Sequence, residues 1–241
     1  MRALILAAGR GKRLGDLSRD KNKCMLLVRH RPLIEYSLDY AVQIASSEII
    51  IVIGYKGDEI AEHCGSSYRG KNIVYVRQNE QHGLVHAIEC AKNSIGNEDF
   101  MLMLGDELMI NPRHKEIMDF FYEKKLFGVC GVVKVDDLNL IRKTYSITRS
   151  NDGKIVRLVE KPSNPQNNWM GTGNCVFRND ILSYIPKTPI NQNRGEKELP
   201  DLIQCAIDDG KQVEAFDICD RYVNVNVPEE VEKMESYFAH L

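Results

Sequence analysis

The chain has 241 residues, 43% of them hydrophobic, with 32 basic and 34 acidic residues and a formal charge of -2. This is enough apolar material for one substantial α/β domain and excludes a disordered protein. The near balance of charge argues against a broad nucleic-acid or membrane surface, so neither partner is expected.

Ala3 to Ala8 is apolar on both faces, as a strand inside a parallel sheet should be. It is far too short for a secretory core or a membrane span. The seven cysteines (Cys24, Cys64, Cys90, Cys130, Cys175, Cys205, Cys219) stand singly, with no CxxC pair. They read as reduced core residues, and a cytoplasmic location is expected. A basic, glycine-containing segment comes after the first strand, and then a helix is expected over Leu33 to Ile44. Further strands are read at Glu48 to Ile53, Ile73 to Val76 and Phe100 to Leu104. Helices are expected at Asp58 to Cys64, Leu84 to Lys92 and Arg113 to Lys124. Alternating strands and helices imply βαβ units and a doubly wound, mostly parallel sheet.

After residue 125 the pattern turns β-rich, as a small inserted lobe would be. Strands are read at Gly128 to Val135, Tyr145 to Arg149, Ile155 to Glu160 and Gly173 to Phe177. Asp152-Gly153 marks a hairpin between the second and third of these. A helix over Glu198 to Asp209, a strand at Tyr222 to Val225 and a helix from Pro228 to Ala239 close the chain. With no repeat or linker, a single domain over 1–241 is expected. Ligands in such sheets bind beyond the carboxyl ends of the strands, which points to the loops after Ala8, Leu104 and Glu160.

The first of these loops, Gly9-Arg10-Gly11-Lys12-Arg13-Leu14-Gly15, opens a segment with eight basic residues between Arg10 and Arg31 and two acids, Asp16 and Asp20. Glycines let backbone N–H groups approach an anion, and the charge suits a triphosphate. Leu14 breaks the dinucleotide fingerprint, and Gly15-Asp16-Leu17 breaks the P-loop. Asp106 ends an apolar strand, where a carboxylate has no packing value but suits a hard cation. His82 and His86 lie four apart without an evident third ligand and read as solvated.

Leu6-Ala7-Ala8-Gly9-x-Gly11-x-Arg13-Leu14, with Asn22-Lys23-x-Met25-Leu26, resembles the signature of the sugar-1-phosphate nucleotidyltransferases. The resemblance continues in order through Gln78 with Gly83-Leu84, Leu104-Gly105-Asp106, Val159-Glu160-Lys161-Pro162, Thr172-Gly173, Arg194-Gly195-Glu196 and Val223-Asn224-Val225. It implies an enzyme that joins an NTP to a sugar 1-phosphate and releases pyrophosphate. It also implies a Rossmann-like nucleotidyltransferase fold, with a nucleotide-binding half at 1–125 and a sugar-phosphate-binding half at 126–241. Ala8, Gly9, Gly11, Gln78 and Gly83 would bind the nucleotide, UTP or dTTP by preference. Glu160, Lys161, Gly173 and Glu196 would hold the sugar phosphate.

Arg13, Lys23, Asp106 and Lys161 would be the catalytic set, because positioning and charge neutralisation dominate such transfers. Asp106 and Asn224 would hold Mg²⁺. Asn224 stands where most relatives carry Asp, and an amide oxygen coordinates without adding charge. Glu107 is assigned no role. A regulatory nucleotide-sugar-binding paralogue and a cytidylyltransferase acting on a non-sugar phosphate remain alternatives, and a homo-oligomer is compatible with the sequence.

Overall fold

The computed structural model describes residues 1–11, 21–45, 48–227, 229, 230, 232, 235 and 236. In chain order, β1 (Arg2–Ala7) is followed by a 3-10 turn at Lys23–Met25, β2 (Leu27–Val28), β3 (Arg31–Pro32), α1 (Leu33–Ile44), β4 (Glu48–Ile53) and α2 (Gly57–Cys64). Next come β5 (Ser67–Tyr68), β6 (Lys71–Arg77), α3 (Leu84–Cys90), α4 (Lys92–Ile95), β7 (Phe100–Leu104), β8 (Glu107–Ile110), α5 (His114–Glu123) and β9 (Gly128–Lys134). The rest comprises β10 (Tyr145–Arg149), β11 (Ile155–Glu160), β12 (Trp169–Phe177), β13 (Ile190–Asn191), β14 (Glu196–Lys197), α6 (Leu199–Asp208), β15 (Val213–Asp217) and β16 (Arg221–Asn224).

One mixed sheet of ten strands organises these elements, in the order β11-β10-β12-β7-β1-β4-β6-β5, with β9 beside β12 and β15 beside β9. Its centre, β7-β1-β4-β6, is parallel, and Leu4 lies level with Ile50 on one side and Leu102 on the other. Alternate residues feed two cores. Ala3, Ile5, Ile49, Ile51, Met101 and Met103 meet Leu33, Ile34 and Leu38 of α1 and Ile117 and Phe121 of α5. Leu4, Leu6, Ile50, Val52 and Leu102 meet Val85 and Ile88 of α3 and Leu202, Ile203 and Ala206 of α6. Each fully buried large apolar side chain contributes roughly 1.5–3 kcal/mol. This two-sided burial explains why these strands read as unbroken apolar runs.

The expected strands and helices are present with small shifts, and four differences matter. The strand expected from Gly173 begins at Trp169, because its first residues pair with Lys134 and Val133 of β9. The helix expected over Leu84 to Lys92 is interrupted at Ala91, and a second short helix continues from Lys92. Among the described residues seven strands were not expected: β2, β3, β5, β13 and β14, each of two residues, and the longer β8 and β15. β15 lies parallel to β9, and β8 pairs antiparallel with β16, with Asn224 opposite Glu107. The closing helix, Pro228 to Ala239, falls mostly outside the described residues. Among the described residues no helix is long and apolar enough to cross a membrane.

Candidate active site

The carboxyl ends of β1 and β7 form the first part of the site. Ala8 is buried, and its carbonyl accepts from Tyr55 N at 3.2 Å and from Gln81 Nε2 at 3.0 Å. Gly9 is exposed, and Gly11 turns with φ 61°. Arg13, assigned to the phosphates, lies outside the described residues. Asn22, wholly buried, ties the next stretch of chain to this end of the sheet. Its Nδ2 donates to Tyr55 O at 2.6 Å and Ala7 O at 3.3 Å, while its Oδ1 caps the adjoining turn through Cys24 N at 2.8 Å. That anchoring carries Lys23 into the site.

Lys23 is 7% exposed and ion-pairs with Asp106, and its Nζ also donates to Asn226 Oδ1 at 3.0 Å. Asn226 Nδ2 in turn donates to Asn224 Oδ1 at 2.7 Å. The Asp106 carbonyl accepts from Val225 N at 3.0 Å, so the β8–β16 pairing delivers Asn224 beside the Asp106 turn. A carboxylate and an amide oxygen are hard donors suited to Mg²⁺, but they are only two; phosphate oxygens and water would have to complete the shell. Among the described residues no group of three or more His, Cys, Asp or Glu is arranged to hold a metal.

A cavity of about 220 Å³ opens beside this cluster, and Asn224 belongs to both. It is lined by Glu107, Tyr145, Glu160, Lys161, Gly173, Arg194 and Glu196, among others. Lys161, just past β11, has φ 43°, an unusual conformation for a residue with a Cβ, and its N–H is held by Thr144 O at 2.6 Å. Its ammonium lies 2.8 Å from Glu160. Arg194 is set among three carboxylates, Glu198 at 2.7 Å and Glu160 and Glu196 at 3.5 Å. Burial, with Glu160 close by, raises the Glu198 carboxyl above the ordinary range.

Gly83 joins the nucleotide loop to this cavity. It has φ 90°, and a Cβ there would fall 2.6 Å from Glu196 Oε2, so no other residue fits without displacing that carboxylate. Gln78 is 5% exposed, and its Nε2 lies 3.0 Å from both Gly83 O and His86 Nδ1. The expected base-reading amide therefore also braces the Gly83 turn. His86 is engaged with Gln78 rather than simply solvated, whereas His82 is exposed.

Three residues to which sequence reasoning gave no role now take clear places: Asn22, Gln81 and Glu107. Glu107 is 2% exposed and accepts from Gly173 N at 3.0 Å, from Asn174 Nδ2 at 2.5 Å and from the Tyr222 hydroxyl. Burial pushes its carboxyl up to about 8, against the opposing pull of the Tyr222 bond. An acid directly after the metal-type aspartate was the only available signal, and it does not distinguish a ligand from a strut.

Strand-end glycines beside the Lys23–Asp106 pair, and a cavity rimmed by Lys161, Arg194 and several carboxylates, are an arrangement suited to handling phosphoryl groups in an α/β enzyme. The sequence matches the family described as "Nucleotidyl transferase" over residues 2–222, and the chain belongs to that family, within its sugar-1-phosphate nucleotidyltransferases. Members of this kind release pyrophosphate as they transfer a nucleotidyl group, and this chain is such an enzyme.

The relatives include the UTP–glucose-1-phosphate uridylyltransferase AglF of Haloferax volcanii, 34% identical over 236 residues, covering 98% of this chain and 95% of that one. The UTP–glucose-1-phosphate uridylyltransferase of Bacillus subtilis is 31% identical, covering 90% and 83%. Among solved structures, a UDP-glucose pyrophosphorylase complexed with UDP-glucose shares the fold. Its TM-score is 0.89 at 22% identity, over 99% of this chain and 98% of that one.

Proposed function

We propose that the enzyme joins UTP or dTTP to a sugar 1-phosphate, glucose 1-phosphate being the first candidate, and that it needs Mg²⁺ and works in the cytoplasm. The observation that carries the reading is the continuity of the Lys23–Asp106–Asn226–Asn224 cluster with the cavity rimmed by Lys161 and Arg194. The names of the relatives support the nucleotide and the sugar, and seven free thiols support the compartment.

In this reading residues 1–125 bind the nucleotide and 126–241 the acceptor. A phosphate oxygen of the sugar 1-phosphate attacks the α-phosphorus, the bond from that phosphorus to the bridging oxygen breaks, and pyrophosphate leaves with the electron pair. The chain supplies position and charge rather than covalent chemistry. The glycine loop with Ala8, Gly9 and Gly11 offers backbone to the triphosphate, and Arg13 clamps it. Lys23 neutralises the phosphates from the floor, while Gln78 and Gly83 shape the base side. Lys161 leaves Glu160 to meet the acceptor phosphate; Glu160 and Glu196 accept from sugar hydroxyls, and Gly173 lets the sugar approach the backbone.

Asp106 and Asn224 would hold the cation, which when bound would supply positive charge to the phosphates. The test is a matrix of NTPs against sugar 1-phosphates with Mg²⁺, scored by pyrophosphate release and by the mass of the product. UDP- or dTDP-sugar formation is expected. Release with CTP and phosphocholine alone would replace the sugar reading with the cytidylyltransferase one.

A further inference from the structure

Glu107 lines the acceptor cavity, yet both of its oxygens are committed to protein donors. Oε1 takes the Gly173 N–H of β12 and the Tyr222 hydroxyl of β16, and Oε2 takes the Asn174 amide. Behind Asn174, its Oδ1 lies 2.8 Å from Nε2 of His114, a fully buried ring stacked on Tyr40 of α1 with centroids 4.5 Å apart. His114 Nδ1 is buried with no partner, so Nε2 carries the proton and donates to Asn174. The donors thus run in one direction, from His114 through Asn174 to Glu107. The approach is close: a Cβ on Gly173 would lie 3.0 Å from Glu107 Oε1 and 2.3 Å from Leu104 Cγ.

We infer that Glu107 is a positioning residue for the acceptor. It clamps β12 at Gly173 and β16 at Tyr222 onto the Asp106 turn, and so sets the floor on which the sugar phosphate lies. Its largest effect falls on the acceptor, because Gly173 and Tyr222 line the cavity, whereas the β16 strand that delivers Asn224 is held to β8 by backbone pairing as well. The inference rests on the proposed transfer to a sugar 1-phosphate. An amide can take over the clamp. In Glu107→Gln, Nε2 would face Asn174, whose amide can turn over while the His114 proton moves from Nε2 to Nδ1. In Glu107→Asp the side chain is one methylene short and cannot reach Gly173 N and Asn174 Nδ2 together.

The experiment combines steady-state kinetics with UTP and glucose 1-phosphate and hydrogen–deuterium exchange of the peptide covering residues 169–177. Glu107→Ala and Glu107→Asp should raise KM for glucose 1-phosphate by about tenfold, leave KM for UTP within about twofold and speed exchange in that peptide. Glu107→Gln should restore both the acceptor KM and the slow exchange to within about threefold of the unaltered protein. If Glu107→Ala fails to fold, Tyr222→Phe, which removes one donor alone, should show the same pattern more weakly.

Equal shifts in the two KM values, a Gln variant no better than Ala, or unchanged exchange would each overturn the inference. If the unaltered protein converts no sugar 1-phosphate, the proposed function fails. Exchange over 169–177 would then still decide whether Glu107 is the clamp.

Discussion

On the proposed function, the two halves of the sheet solve the same problem, holding a phosphate, in different ways. In β1, β4 and β7 nearly every side chain is buried in the two cores, so on the proposed function the nucleotide side is built beyond the strand ends, from backbone, glycines and the anchored Lys23. In β10 and β11 one face is exposed, and the acceptor side can place charged groups at strand ends, Glu160 and Lys161 among them. The charge economy differs as well. Among the described residues Lys23 ion-pairs with Asp106 alone, from a buried position, whereas Arg194 is shared by three carboxylates on a half-open rim. On the proposed function, each substrate phosphate must draw a lysine from a carboxylate, Lys23 from Asp106 and Lys161 from Glu160.

The sharpest way to break this contrast is Asp106→Asn. Asparagine keeps an oxygen for Lys23 to donate to, so the fold should survive, but a charge at the centre of the reaction is gone. Turnover should fall by roughly 10²–10³-fold. A purified, folded variant that turns over at near the normal rate with saturating Mg²⁺ would remove Asp106 from the metal site.

The seam between the halves is tested by pH. Burial holds the His114 imidazole at about 4, below the ordinary 6.5, so it stays neutral in the fold while the unfolded chain takes up a proton below 6.5. Its contribution to stability is fully present above 6.5 and is lost as pH falls toward 4, by about 3 kcal/mol at most. Denaturant unfolding at pH 7 and pH 4.5 should show His114→Gln losing less stability than the unaltered protein between the two. Parallel losses would mean that the ring is protonated in the fold.

Lysine truncations should then separate the arms. Lys23→Ala is expected to raise KM for UTP by about tenfold with a smaller effect on the acceptor, and Lys161→Ala to do the reverse. Measuring both constants in both variants decides it; the opposite pairing would exchange the roles of the two halves.

The smallest effect belongs to Asn224. Asn224→Asp adds a carboxylate beside Asp106, and Asn226 Nδ2 can still donate to it. The Mg²⁺ concentration for half-maximal rate should drop by about threefold, and Asn224→Ala should raise it by a similar factor. A midpoint unmoved by either change would leave the cation to Asp106, substrate oxygens and water.

The parallel centre was legible because burial on both faces leaves an unbroken apolar run that nothing in a surface loop imitates. β1, β4 and β7 appear where the runs are, to within one residue. β15, with an acid buried at its second residue, shows no such run. β8 could not be read either, because Glu107 opens it and its reason to be extended is a partner more than a hundred residues away. The site divides in the same way. Glycines that must turn and a basic segment beside them are local facts, visible in order along the chain, and the family resemblance grew out of them.

What the sequence by itself determined was therefore the class of chemistry, the parallel core and the residue types at each loop. Only the tertiary structure decided that Gln78 braces Gly83, that Asn22 carries Lys23 to Asp106, and that Asn226 links Lys23 to Asn224. It alone turned Glu107 from an acid without a role into the joint between two strands. The physical reason is that local conformation is set by neighbours a few residues away. A buried polar side chain, in contrast, takes its role from whichever donors the fold brings to it, and that pairing is written in no single stretch of sequence.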